Sequence, residues 1–210
     1  MRRSLKLLAV GGVALLAVGC GGETDGQPAP APASPETSAS APASGDDGLP
    51  HSGAPAVTNP LPESVLSGHP CDEALTEDQA KELLGDAVQS KHEDMPEIGP
   101  GCNWSSPDSG AAFLLNYDTA SHEGLSDSYK NAQSQVEIFN EIEPVGGFPA
   151  IEYKRSQDDH TCTTIVGLAD EYGLVLTLTI GTQGEEQGDD PCDGGRIVLE
   201  EVVDNLKAKA

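Results

Sequence analysis

Leu174, Leu176, Leu178 and Ile180 alternate with Val175, Thr177 and Thr179, the period-two spacing of a strand that lays one face on a core. The preceding run Thr161–Ala169 also reads as a strand, and Asp170-Glu171-Tyr172-Gly173 between them has the residue types of a tight turn. Ile151 and Tyr153 suggest a further strand entering this meander. At the C-terminal end the spacing changes. Val198, Leu199, Val202, Val203 and Leu206 recur at helical intervals, predicting an amphipathic helix capped by Asp193, with Lys207 and Lys209 placed where the helix dipole favours cations.

Nearer the N-terminus, Thr76 followed three residues later by Gln79 forms a capping box, and Ala80, Leu83 and Leu84 supply an apolar stripe that stops at Gly85. A short helix is expected there. Cys102-Asn103-Trp104-Ser105 and Ala111–Tyr117 read as two strands of an antiparallel hairpin, joined through Pro107-Asp108-Ser109-Gly110. Residues 124–138 contain enough Leu, Tyr, Ala and Gln for another helix. The expected fold class is α+β: an antiparallel sheet of about five strands packed with N- and C-terminal helices and braced by two disulfides.

The first 68 residues lack this patterning. Arg2, Arg3 and Lys6 precede an apolar run from Leu7 to Val18, which ends at Ala17-Val18-Gly19-Cys20. This is the layout of a lipoprotein signal peptide over residues 1–19, with Cys20 the site of lipidation. The apolar run is too short for a bilayer span, which needs roughly 20 residues. Two acyl chains on Cys20 would satisfy the two-signal condition for stable anchoring. The stretch Gly21–Pro70 holds ten prolines, seven glycines and no aromatic residue. It cannot bury enough apolar surface to offset the entropy of ordering, so residues 20–68 are expected to be a lipidated cysteine followed by a disordered tether. All eight aromatic residues lie beyond residue 100, which places a single globular domain at 69–210.

Charge narrows the partners. The 210-residue chain carries 11 Lys+Arg against 35 Asp+Glu, a formal charge of −24. Without the signal peptide eight cationic residues face the same 35 acids, a charge of −27. Nucleic acid is excluded as a partner, because no basic stripe exists to neutralise phosphates. The expected contacts are the membrane, through the anchor on Cys20, and an unknown ligand or protein at the envelope. The acidity suits a solvated surface. Calcium is the rival reading, yet Asp158-Asp159, Glu185-Glu186 and Asp189-Asp190 lie in no EF-hand-type loop.

Cys71, Cys102, Cys162 and Cys192 remain, an even number that argues for disulfides in an exported domain. Three pairings are possible. Cys71–Cys102 with Cys162–Cys192 is favoured, since each bridge would bind a terminus or loop to a neighbouring strand. Neither zinc nor redox chemistry finds its usual C-x-x-C spacing, and no cofactor or metal is expected.

No G-x-S-x-G, S-x-x-K or H-E-x-x-H motif occurs. His69, His92, His122 and His160 are scattered through polar sequence, where solvated histidines are expected. No catalytic residue is assigned. The leading expectation is a non-catalytic binding module on the outer face of the cell membrane. Trp104 and Phe148 are the candidate ligand residues, because an aromatic beside a Gly/Pro loop can floor a pocket; the competing reading puts Trp104 in the core. A structural or regulatory lipoprotein acting through protein contacts is the alternative, and a hydrolase is the third.

Taken together, Pro70-Cys71, Leu75-Thr76, Leu83-Leu84-Gly85, Cys102-Asn103-Trp104 and Gly147-Phe148-Pro149-Ala150 resemble an actinobacterial lipoprotein family, domain of unknown function 3558. Cys162-Thr163-Thr164-Ile165-Val166, Pro191-Cys192 and the helix ending Asn205-Leu206-Lys207 are similar to it as well. The resemblance covers about residues 69–208. It implies an exported, lipid-anchored domain and brings no activity or catalytic residues with it.

Overall fold

A computed structural model describes residues 48–210; the signal-like segment, Cys20 and the tether as far as residue 47 lie outside the described residues. Seven strands form one antiparallel sheet: β1 (Gln89–His92), β2 (Gly101–Ser105), β3 (Ala112–Asp118), β4 (Ile138–Val145), β5 (Phe148–Lys154), β6 (Thr161–Gly167) and β7 (Gly173–Thr179). Their order is β1-β2-β3-β7-β6-β5-β4. The helices are α1 (Pro70–Glu73), α2 (Glu77–Leu84), α3 (Leu125–Asn131), α4 (Thr182–Gln187) and α5 (Pro191–Lys207).

The α+β class and the antiparallel sheet are as expected, but the strands number seven rather than five. The two additional strands, β1 and β4, are the edges of the sheet. β1 is Gln-Ser-Lys-His and exposed throughout, and β4 is exposed at half of its positions and carries Pro144. An edge strand that buries little needs no apolar alternation, and polar residues protect its unpaired backbone from joining other sheets. The helix expected over 124–138 is correspondingly short, stopping at Asn131 so that the chain can enter β4.

One face of the sheet makes the main core. Leu174, Leu176 and Leu178 of β7 project with Phe113, Leu115 and Tyr117 of β3, their register partners, against Val198, Leu199, Val202, Val203 and Leu206 of α5. The helix begins earlier than expected. Asp190, not Asp193, is the N-cap, its carboxylate accepting the Cys192 N–H at 2.9 Å. Pro191 fits the first helical position because its missing N–H would have found no intrahelical partner there. Arg196 on α5 grips the buried Glu152 of β5 through Nε at 2.9 Å and a second nitrogen at 3.2 Å, so the carboxylate on the core face is paired rather than stranded.

The folded region also extends upstream of residue 69. Leu49, Val65 and Leu66 are buried, and hydrogen bonds tie this strap to the domain, among them one from the Tyr172 hydroxyl to the Leu61 carbonyl. The Ser126 hydroxyl accepts from the His51 N–H, Asp170 accepts from the Val57 N–H, and the Leu168 carbonyl accepts from the Leu61 N–H. The strap uses isolated apolar residues and backbone bonds to loops, so no periodicity marks it in the sequence.

Candidate functional site

The opposite face of the same sheet is covered only in part. Leu125 and Tyr129 of α3 pack on Ile151 and Ile165 of β5 and β6. Beyond them the strands floor a groove of about 510 Å³, within the range of small-molecule sites. Strand register builds the floor. Leu114, Thr177, Thr163 and Tyr153 stand side by side across four adjacent strands, β3, β7, β6 and β5.

Hydroxyls on this floor pair across strands, Thr163 with Thr177 at 3.1 Å and Thr161 with Thr179 at 2.9 Å. Burial raises the Tyr153 phenol above its ordinary pKa, and its hydrogen bond with Thr163 opposes the rise. Its ring stacks parallel to Phe139 of β4 with centroids 6.3 Å apart.

The loop between β1 and β2 raises one rim. Met95 and Gly99 bridge, and the Ile98 carbonyl accepts the Thr119 and Ala120 N–H groups, so Met95 and Ile98 lean over the groove. Gly99 is required here: its φ is +141°, and a Cβ would meet the Tyr117 carbonyl oxygen at 2.2 Å. Asn116, buried on the floor, donates to the Gly99 carbonyl at 3.4 Å. Arg155 and Asp159 form the far rim. Lys81, Lys130, Lys154, Arg196, Lys207 and Lys209 all lie in ion pairs. Among the described residues, Arg155 and Lys91 are the cationic side chains outside them. Arg155 therefore presents an unneutralised guanidinium at the mouth of the groove, on a chain of charge −24.

The residues singled out from sequence fall elsewhere. The cysteines pair as Cys71–Cys102 and Cys162–Cys192, with Cα atoms 5.0 and 5.1 Å apart. Trp104 is buried against Phe113, centroids 5.2 Å apart, and borders a smaller cavity of about 290 Å³ beside α2. Phe148 is buried in the main core beneath Lys207, whose Nζ lies 5.9 Å from the ring centre. Neither aromatic lines the groove. Of the acidic pairs, Asp190 is committed to capping α5 and Asp159 to accepting the Thr161 N–H. His122 and His160 are exposed. His92 is exposed and His69 half-buried, and their rings stack with centroids 3.7 Å apart.

A helix-backed antiparallel sheet with two disulfides and an open groove defines a cystine-braced α+β domain. The family model for proteins of unknown function DUF3558 matches residues 15–205, and the chain belongs to that family. No curated protein and no solved structure matches it. The sequence did not disclose the groove residues. The period-two alternation through Thr177 and Thr179 marked a less apolar face, and that was the available signal.

Proposed function

We propose that this protein is a lipid-anchored extracytoplasmic binding module, not an enzyme, which holds a small envelope ligand in the groove on the partly covered sheet face. The groove carries this reading. It joins an apolar rim (Met95, Ile98), an aromatic ring (Tyr153), fixed hydroxyls and a cation outside any ion pair (Arg155), a mixed polar and apolar lining with groups that could orient a small molecule. Two disulfides suit an oxidising compartment outside the cytoplasm. Among the described residues no helix is long and apolar enough to cross a membrane; the anchor in this reading is a lipid on Cys20.

Native mass spectrometry of the full chain carrying Cys20→Ser, incubated with envelope extract, tests the groove. The expected result is a discrete adduct that is lost in Thr163→Trp, which fills the floor, and weakened in Arg155→Glu. An adduct retained in Thr163→Trp would overturn the assignment. Anchoring has its own measurement: Cys20→Ser should move the protein from membranes to the soluble fraction.

A further inference from the structure

We propose that His69, His92 and Asp94 form a binding site for one divalent transition-metal ion, copper(II) or zinc(II). The site lies at the β1 edge, apart from the groove floor, and is assembled by the Cys71–Cys102 disulfide. Cys71 follows His69 by two residues in α1, and Cys102 is the cross-strand partner of His92. The bridge therefore draws the N-cap of α1 onto the end of β1 and sets one imidazole over the other, with planes 10° apart.

Asp94 is positioned independently. Its Oδ1 accepts the Gly101 N–H at 3.0 Å and lies 3.0 Å from His69 Nε2. Ligand atoms of His69, Cys71 and His92 fall within 4.8 Å of one another. The Cys71 sulfur is held in the disulfide and offers no thiolate, so that group supplies two nitrogens, and Asp94 adds a carboxylate oxygen through its contact with His69. An ion with bonds of about 2.0–2.1 Å holds adjacent ligand atoms about 3–3.5 Å apart. The His69–Asp94 separation already meets that span, and the exposed His92 ring, stacked on His69, must turn out of that stack to bring a nitrogen to the same ion. Imidazole with carboxylate is a donor set for copper or zinc rather than for magnesium or calcium, and water can complete the coordination on the exposed side.

Metal binding rearranges one proton. In the metal-free protein His69 Nδ1 accepts the Cys71 N–H at 3.2 Å, so the neutral ring carries its proton on Nε2 and donates it to Asp94. When the ion takes Nε2, that proton moves to Nδ1, the ring stays neutral, and the Cys71 N–H loses its acceptor. The site thus has a signature besides affinity.

The experiment titrates the full, oxidised chain with copper(II) and, separately, zinc(II), with the melting curve of each variant recorded as a check of folding. One ion per chain is expected, with two nitrogen couplings in the copper spectrum and faster exchange of the Cys71 amide on zinc binding. His92→Gln, an exposed position, should remove one nitrogen coupling and weaken binding at least about tenfold, and Asp94→Asn should weaken it about tenfold. His122→Gln and His160→Gln should leave it unchanged. Absence of stoichiometric binding, undiminished binding in His92→Gln, or binding seen only after disulfide reduction would each overturn the site; the last would mean that the cysteines are the ligands.

Discussion

On one face of the sheet, Leu174, Leu176 and Leu178 meet the apolar stripe of α5. On the other, the intervening Val175 and Thr177 of the same strand look into a groove. Both sets come from seven consecutive residues, so the contrast owes nothing to strand propensity. It follows from what the chain brings to each side: a helix of 17 residues on one, a helix of seven on the other. The covered face stabilises the fold by removing apolar area from water. The open face retains paired hydroxyls, which need no protein cover to remain satisfied and are available to a ligand.

That contrast can be broken from the covered side first. Leu176 is fully buried, and Leu176→Ala should lower unfolding stability by about 2–5 kcal/mol in denaturant titrations, through lost transfer energy and the cavity left behind. Replacing Cys162 and Cys192 together by Ala frees α5 from β6; a closed loop of 30 residues predicts a loss of about 3–4 kcal/mol in the chain-entropy description.

Asp118, at the end of β3, sharpens the comparison in the opposite direction. Its carboxyl is buried with Oδ1 unpaired, and burial pushes its pKa up to about 6 despite hydrogen bonds from Ser121. A raised carboxyl pKa means that the native state binds the proton more tightly than the unfolded chain does. Its stabilising effect is complete below the unfolded value near 3.8 and is lost as pH rises through about 6. Asp118→Asn should therefore raise stability at pH 7 by roughly 1–3 kcal/mol and flatten the pH dependence between about 4 and 6. A variant that is no more stable than the parent at pH 7 would show that the carboxylate is solvated.

The smallest effect belongs to the open face. Thr163→Val removes a hydroxyl whose partner Thr177 stays accessible to water, and should change stability by no more than about 0.5 kcal/mol. A loss above about 2 kcal/mol would mean that this face is core rather than a site.

The elements with a buried face were legible in the sequence. β7 showed period two, α5 showed helical spacing, and the Thr76–Gln79 box fixed the start of α2, where both reciprocal hydrogen bonds form. β1 and β4 were not legible, because edge strands carry polar residues that look like loop. The strap ending at Gly68 was hidden for a related reason: it is fixed by Val57 bonding to Asp170 and Leu61 to Leu168, contacts that leave no local pattern.

By itself, then, the sequence determined the α+β class, the composition of the core and the even set of cysteines, because burial against water imposes a repeat on each element separately. Tertiary structure decided which residues could act together. Tyr153 and Leu114 reach one groove through register across four strands, and His69 meets His92 because a disulfide closes 31 residues of chain. Such meetings depend on pairing between distant segments, and spacing along the chain carries no record of it.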